Sequence, residues 1–175
     1  MKLNLCAKTV LLVYRYLDRI ADAIDRLVER RALNSFYMSG IGCKDNNISN
    51  VAQYIIDLSQ RKVKLINIKI LTEMALDNCP ILYSQILIEK YMDNDKACEI
   101  AKRHNLSERT YFRRLNEALR NFSITLEKLG FSESKLLDYI SSEKWMIEVY
   151  NRLITVKNED NFNVSNCDLG KIAVC

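Results

Sequence analysis

The stretch from Glu99 to Leu119, EIAKRHNLSERTYFRRLNEAL, constrains the fold of this chain more than any other. It reads as two short helices meeting at an angle: Ala97 to His104 places Ile100 and Ala101 on one face, and Ser107 opens a second helix. Ala101 stands where the two axes cross, and a small side chain there lets the helices approach steeply enough for a helix-turn-helix. Leu106 plugs the turn. Asn105 fills the position often held by glycine and tolerates left-handed backbone better than other residues with side chains. Ser107 is a good N-cap because its hydroxyl can accept from an otherwise unpaired amide of the next turn, and Glu108 favours the positive end of the helix dipole.

Tyr111, Leu115 and Ala118 then recur at spacings of four and three and make one inward face, leaving Glu108, Arg109, Phe112, Arg113, Asn116 and Arg120 outside. Over the whole stretch Lys102, Arg103, Arg109, Arg113, Arg114 and Arg120 outnumber Glu99, Glu108 and Glu117. A charged outer face is often merely solvated. A basic second helix beside a capped turn is, however, the arrangement that takes guanidinium groups into the major groove of duplex DNA. The candidate DNA-binding residues are Lys102, Arg103, Ser107, Glu108, Arg109, Phe112, Arg113, Asn116 and Arg120. Arg109 and Arg113 are expected at base edges or the phosphates beside them, Lys102 and Arg103 at the backbone. His104 reads as a surface histidine near phosphates.

The run LSERTYFRRLNEAL, Leu106 to Leu119, resembles the recognition-helix signature of the ArpU-type late transcriptional regulators of phages and prophages in Gram-positive bacteria. The Leu-Ser-Glu-Arg-Thr start, two aromatics, an Arg and a following Ala-Leu stand in order, and the similarity covers roughly residues 81–126. Arg114 occupies a place where sigma-like domains tend to have an apolar residue. The resemblance implies a sigma-factor region-four-like helix-turn-helix and a DNA-binding regulator that switches on late genes. The alternative is a sigma-like factor or a helical interaction module that contacts RNA polymerase.

Elsewhere the sequence argues for an all-α chain. Four Gly and one Pro among 175 residues leave few breakers. A net charge of +4 is a weak argument for a polyanionic partner by itself, and its placement matters more. In the first helix, about Lys8 to Leu33, Val13, Leu17, Ile20, Ile24 and Leu27 repeat at four and three, a seam that needs a partner. Ser39 to Ser49 reads as a loop; its Gly40-Ile41-Gly42 lacks the spacing and the Lys-Ser/Thr of a phosphate loop. Ser49 or Asn50 caps a second helix, Val51 to about Leu76, in which Tyr54, Leu58, Leu65, Ile68, Thr72 and Ala75 mark a face interrupted around Arg61 and Lys62. An antiparallel hairpin is the simplest arrangement, and its long seam also has room for a helix of another subunit, which makes a homodimer an expectation.

Asp77-Asn78-Cys79-Pro80 ends that helix. Ile81 to Met92 then starts the DNA-binding unit, packing Ile81, Tyr83, Ile86, Leu87 and Tyr91, and Asp93-Asn94-Asp95 turns the chain and supplies a cap for the next helix. The helix after Ser107 runs through Phe122 and Leu126 to a stop at Gly130. Ser132 begins one last helix, which Trp145 anchors on the rest of the protein. The expected divisions are a hairpin at 1–78, dispensable for folding of the unit after it; the helix-turn-helix at 79–130; a C-terminal helix at 131–156; and an irregular tail at 157–175.

Function classes other than DNA binding find little support. Six cysteines are scattered without a Cys-x-x-Cys pair, and one His accompanies them, a poor basis for a zinc site. Reduced thiols in a cytosol, close to the nucleoid, are expected, with Cys98 at a small buried position beside Ile100 and Ala101. The opening MKLNLCAKTVLLVYRYLD has a basic start, but Arg15 and Asp18 interrupt its apolar run, which reads as the first turns of a helix and not as a signal peptide or membrane span. No catalytic nucleophile with a base, cofactor motif or acidic metal cluster can be assembled. The expected partners are double-stranded DNA and, in the alternative reading, RNA polymerase, with no membrane.

Overall fold

Six residues near the start of the chain, Cys6, Ala7, Thr9, Val10, Leu11 and Val13, are all at most 1 % exposed. They take up more than half the circumference of a helix, and a helix buried over so wide an arc packs on several neighbours. The computed structural model describes residues 2–39 and 46–169, and side chains for 3–37 and 49–156. Helix α1 spans Lys2–Ser39, and α2, Asn46–Asp77, runs back along it. Then come α3 (Ile81–Leu87), continued by one π-helical turn (Ile88–Met92), α4 (Ala97–Arg103), α5 (Glu108–Lys128), α6 (Glu133–Ser141) and α7 (Lys144–Leu169). Among the described residues there is no strand.

Of the residues expected along the two helices, Val13, Leu17, Ile24, Leu58, Leu65, Ile68, Thr72 and Ala75 are buried, Ile20 is half-buried, and Leu27 and Tyr54 are exposed. Thr9 and Thr72 lie inside without penalty because each hydroxyl donates to its own helix, to the Leu5 and Ile68 carbonyls. Lys62 and Lys69 reach across to Asp25 and Asp18, both at 2.7 Å. The Tyr14 hydroxyl donates to Glu73 at 2.6 Å, and burial together with that carboxylate pushes the phenol up to about 12. The exposed ion pairs add at most about 1 kcal/mol each, so the apolar seam dominates.

The expected boundary near residue 78 does not divide the core. One cluster runs from Cys6 of α1 through Leu76, Ile86, Tyr111, Phe122 and Ile140 to Met146, and α1 packs on the π turn, α5, α6 and α7 as well as on α2. The start of α1 forms one wall of the unit that follows residue 78.

Several boundaries also move. The expected loop at 39–49 gives up both ends to helix, since α1 includes Ser39 and α2 begins at Asn46; residues 40–45, with the Gly40-Ile41-Gly42 run, lie outside the described residues. Ser49 and Asn50 are therefore inside α2 and cap nothing. The last helix is two helices. The Ser141 and Ser142 hydroxyls donate back to the Asp138 and Tyr139 carbonyls, which competes with helical pairing and ends α6. The tail expected to be irregular from Lys157 is helical as far as Leu169, since neither Pro nor Gly interrupts it before Gly170, and 170–175 lie outside the described residues.

The break between α6 and α7 places Glu143, 2 % exposed, against α2. Arg61 grips both carboxylate oxygens, Nε at 2.5 Å and Nη2 at 2.6 Å, and Trp145 Nε1 donates to the same group at 3.1 Å. The interruption of the α2 face at Arg61 and Lys62 is thus two polar ties, one to the α6–α7 junction and one to α1. Removing Arg61 strands a buried carboxylate. Arg61→Ala is expected to cost about 2 kcal/mol, since the guanidinium is partly solvated, and to lower the melting temperature by roughly 4–8 °C in a thermal scan.

Candidate nucleic-acid interface

The turn that joins α4 to α5 is assembled by local backbone chemistry. Helix α4 ends in a Schellman turn, with the Leu106 amide donating to the Ala101 carbonyl at 2.8 Å and the Asn105 amide to that of Lys102 at 3.1 Å. Asn105 stands in the left-handed region, φ 53°, the conformation that the sequence reserves for it. Leu106 tucks partly into the core. The Ser107 hydroxyl then accepts from the Thr110 amide at 3.3 Å and starts α5. The far end of α5 repeats the device at Gly130, φ 85°, with Phe131 donating to Leu126 and Gly130 to Glu127.

These two turns fix the rotation of α5. Tyr111, Leu115, Ala118, Phe122 and Leu126 are buried, and Ala101, 2 % exposed, faces them from α4. Glu108, Arg109, Phe112, Arg113, Asn116 and Arg120 are all exposed, on the opposite side, as the spacing predicts. Phe112 is 50 % exposed and packs edge-on against Tyr111, ring centroids 5.2 Å apart. Ser107 is at the mouth of the same helix and Lys102 is exposed beside it on α4. Arg114 is half-buried: its Nη1 lies 3.8 Å from Glu117, and its Nε is buried without a partner. The apolar residue of sigma-like domains is replaced here by a cation that lies partly inside. Tyr83 of α3 donates to the same Glu117 at 3.2 Å, which ties α3 to α5.

Two expected contacts are otherwise engaged. Arg103 is exposed, yet its guanidinium lies 3.0 Å from Glu89 and 3.0 Å from Asp95. His104 is not a free surface residue: its side chain is 14 % exposed, and Nε2 is 3.1 Å from Glu89. The cause is the π turn, whose i to i+5 pairing from Asp93 to the Ile88 carbonyl, followed by Asn94 at φ 61°, brings Glu89 and Asp95 up against α4. Asp95 thus spends its carboxylate on Arg103 and gives α4 no cap; Lys96 is the N-cap residue and makes no side-chain bond. A carboxylate placed for a later arginine by an irregular turn leaves no periodic signal, and sequence reasoning missed Glu89 for that reason. Cys98 is exposed, not buried, and Ile81 is 77 % exposed at the open first turn of α3.

No helix of the described residues is long and apolar enough to cross a membrane, and no group of His, Cys, Asp and Glu among them could hold a metal ion. Comparison with protein families, curated proteins and solved structures finds no match to this chain.

Two substitutions at the motif's centre should act with opposite signs. Ala101→Leu overpacks the helix crossing and is expected to cost about 1–3 kcal/mol. Tyr111 is fully buried and its hydroxyl has no partner, so Tyr111→Phe removes an unsatisfied group and should raise stability by about 1 kcal/mol. Chemical denaturation of the two variants beside the parent chain reads both.

Proposed function

We propose that the chain is a sequence-specific DNA-binding transcription regulator whose α5 enters the major groove. The observation that carries this reading is the outward side of α5, where Arg109, Phe112, Arg113, Asn116 and Arg120 are exposed together on a helix whose start is pinned by the Asn105 turn and the Ser107 cap. Each has a matching chemistry in the groove: a guanidinium for guanine O6 and N7, a carboxamide for adenine, a phenyl ring for a thymine methyl. Glu108 can accept from a cytosine amine, the Ser107 end of the helix suits a phosphate, and Lys102 adds a backbone contact. Arg103, shared with Glu89 and Asp95, serves chiefly to set α4, with its outer edge left for a phosphate. The resemblance of Leu106 to Leu119 to the ArpU-type regulators supports a late-gene activator of a phage or prophage, acting at the nucleoid.

The second reading, a sigma-like factor or interaction module on RNA polymerase, is favoured by apolar residues exposed far from α5: Leu27, Leu33 and Tyr37 on the last turns of α1. Salt-dependent binding to duplex DNA without polymerase separates the two.

Selection of bound sequences from random duplexes by the full chain should yield a defined motif. Arg113→Ala is expected to weaken binding by about 1–3 kcal/mol and relax one position of that motif, whereas Lys102→Ala should weaken all sequences alike and flatten the salt slope. An unchanged motif and affinity in Arg113→Ala would remove α5 from the groove.

A further inference from the structure

The solvent side of α2 is unlike the outer side of its hairpin partner. On α1, the outward positions include Asp18, Asp22, Arg26, Glu29 and Arg30, an ordinary solvated face. On α2 the side turned away from α1 carries Ala52, Ile56, Val63, Ile70 and Met74, all exposed. Ile56, Val63, Ile70 and Met74 are 48, 55, 47 and 48 % exposed. Ser59, Gln60, Ile66 and Asn67 lie between them, so this stripe holds no charge over about 33 Å of helix. Contiguous apolar surface of this size on a protein is often a contact face.

The order of the stripe identifies what fits it. From Ala52 to Met74 the steps are four, seven, seven and four, a sequence that reads the same from either end about Val63. Seven-residue steps are those of a helix-on-helix seam. A spacing symmetric about one residue is what a two-fold axis requires, since in an isologous contact residue i meets j and j meets i. We propose that α2 pairs antiparallel with α2 of a second copy of this chain, with Val63 on the axis. Ile56 then faces Ile70 of the other copy, and the large Met74 faces the small Ala52, so each end layer matches a large side chain with a small one.

The surroundings agree with the antiparallel choice. Ile70 and Met74 also line a groove of about 280 Å³ whose other wall is Leu129, Phe131 and Tyr139, at the end of α2 that meets the body of the protein. Antiparallel pairing keeps the two bodies at opposite ends and sets each groove mouth beside the slim Ala52 end of the partner helix. Parallel pairing would bring the bodies side by side and stack Met74 on Met74 and Ala52 on Ala52. A strip about 33 Å by roughly 10 Å is smaller than the ~800 Å² per partner of a standard stable interface, which makes this a weak dimer in the micromolar range.

Sedimentation of the full chain from about 1 to 200 µM tests the pairing. The parent chain should pass from monomer to dimer, and Ile56→Glu and Ile70→Lys should each weaken the dimer at least tenfold with unchanged helical circular dichroism, both side chains being exposed and both replacements good helix formers. An equimolar mixture of the two variants should recover dimer, because only the antiparallel register sets the introduced carboxylate of one variant against the introduced ammonium of the other while leaving the second Ile layer intact. A parent chain monomeric throughout, or single variants that still dimerise, would overturn the interface. Single variants that dissociate but do not recover on mixing would overturn the antiparallel register.

Discussion

The burial of the first turns of α1 is the constraint on which the remaining architecture rests. Cys6, Ala7, Val10, Leu11, Val13 and Leu17 are covered on one side by α2 and on the others by the π turn, α5, α6 and α7. Each fully buried Val or Leu side chain is worth about 1.5–3 kcal/mol of transfer free energy, more than any of the exposed ion pairs that decorate the hairpin. Helices α3 to α6 in this sense share one core with α1 and α2.

What was legible in the sequence was the chemistry that acts over a few residues. The Ser107 cap, the left-handed Asn105, the inward Tyr111 and Ala101 and the stop at Gly130 are each decided by the backbone and a near neighbour, and each is where the sequence puts it. Periodicity also marked the two hairpin helices and their facing residues. It could not say how many neighbours a helix has, because an amphipathic stripe reports one face; the run Val10 to Tyr14 read only as the first turns of a helix, and Val10, Leu11 and Val13 in it are buried. Partnerships across long separations were hidden for the same reason. Arg61 and Glu143 lie 82 residues apart, and nothing in the spacing of α2 distinguishes a cation awaiting a buried carboxylate from one awaiting water.

The distribution of charge within the helix-turn-helix is also uneven in a way that sequence alone conceals. The cations of α4 are counted with those of α5 in the linear reading, yet Glu89 and Asp95 fold back onto Arg103 and His104. Arg103 and His104 are thus held to the turn before α4, whereas on α5 Arg113 and Arg114 share Glu117 only loosely, at 3.9 and 3.8 Å. Under the DNA-binding reading this division of labour separates orientation from recognition: substitutions on the outer side of α5 change what is bound and leave the packing of α4 alone.

The central position of α1 also governs how the chain emerges from a ribosome. Its N-terminal turns are made first, but the surfaces that cover them on one side belong to α5, α6 and α7; Cys6 has Tyr150 as a side-chain neighbour. At ordinary elongation rates those partners follow on the order of ten seconds later. For that interval α2 can shield one flank of α1 only, and an apolar strip rich in Val and Leu stays open to other chains. The nascent chain thus has more apolar surface to shield for that interval than a unit whose contacts are all local.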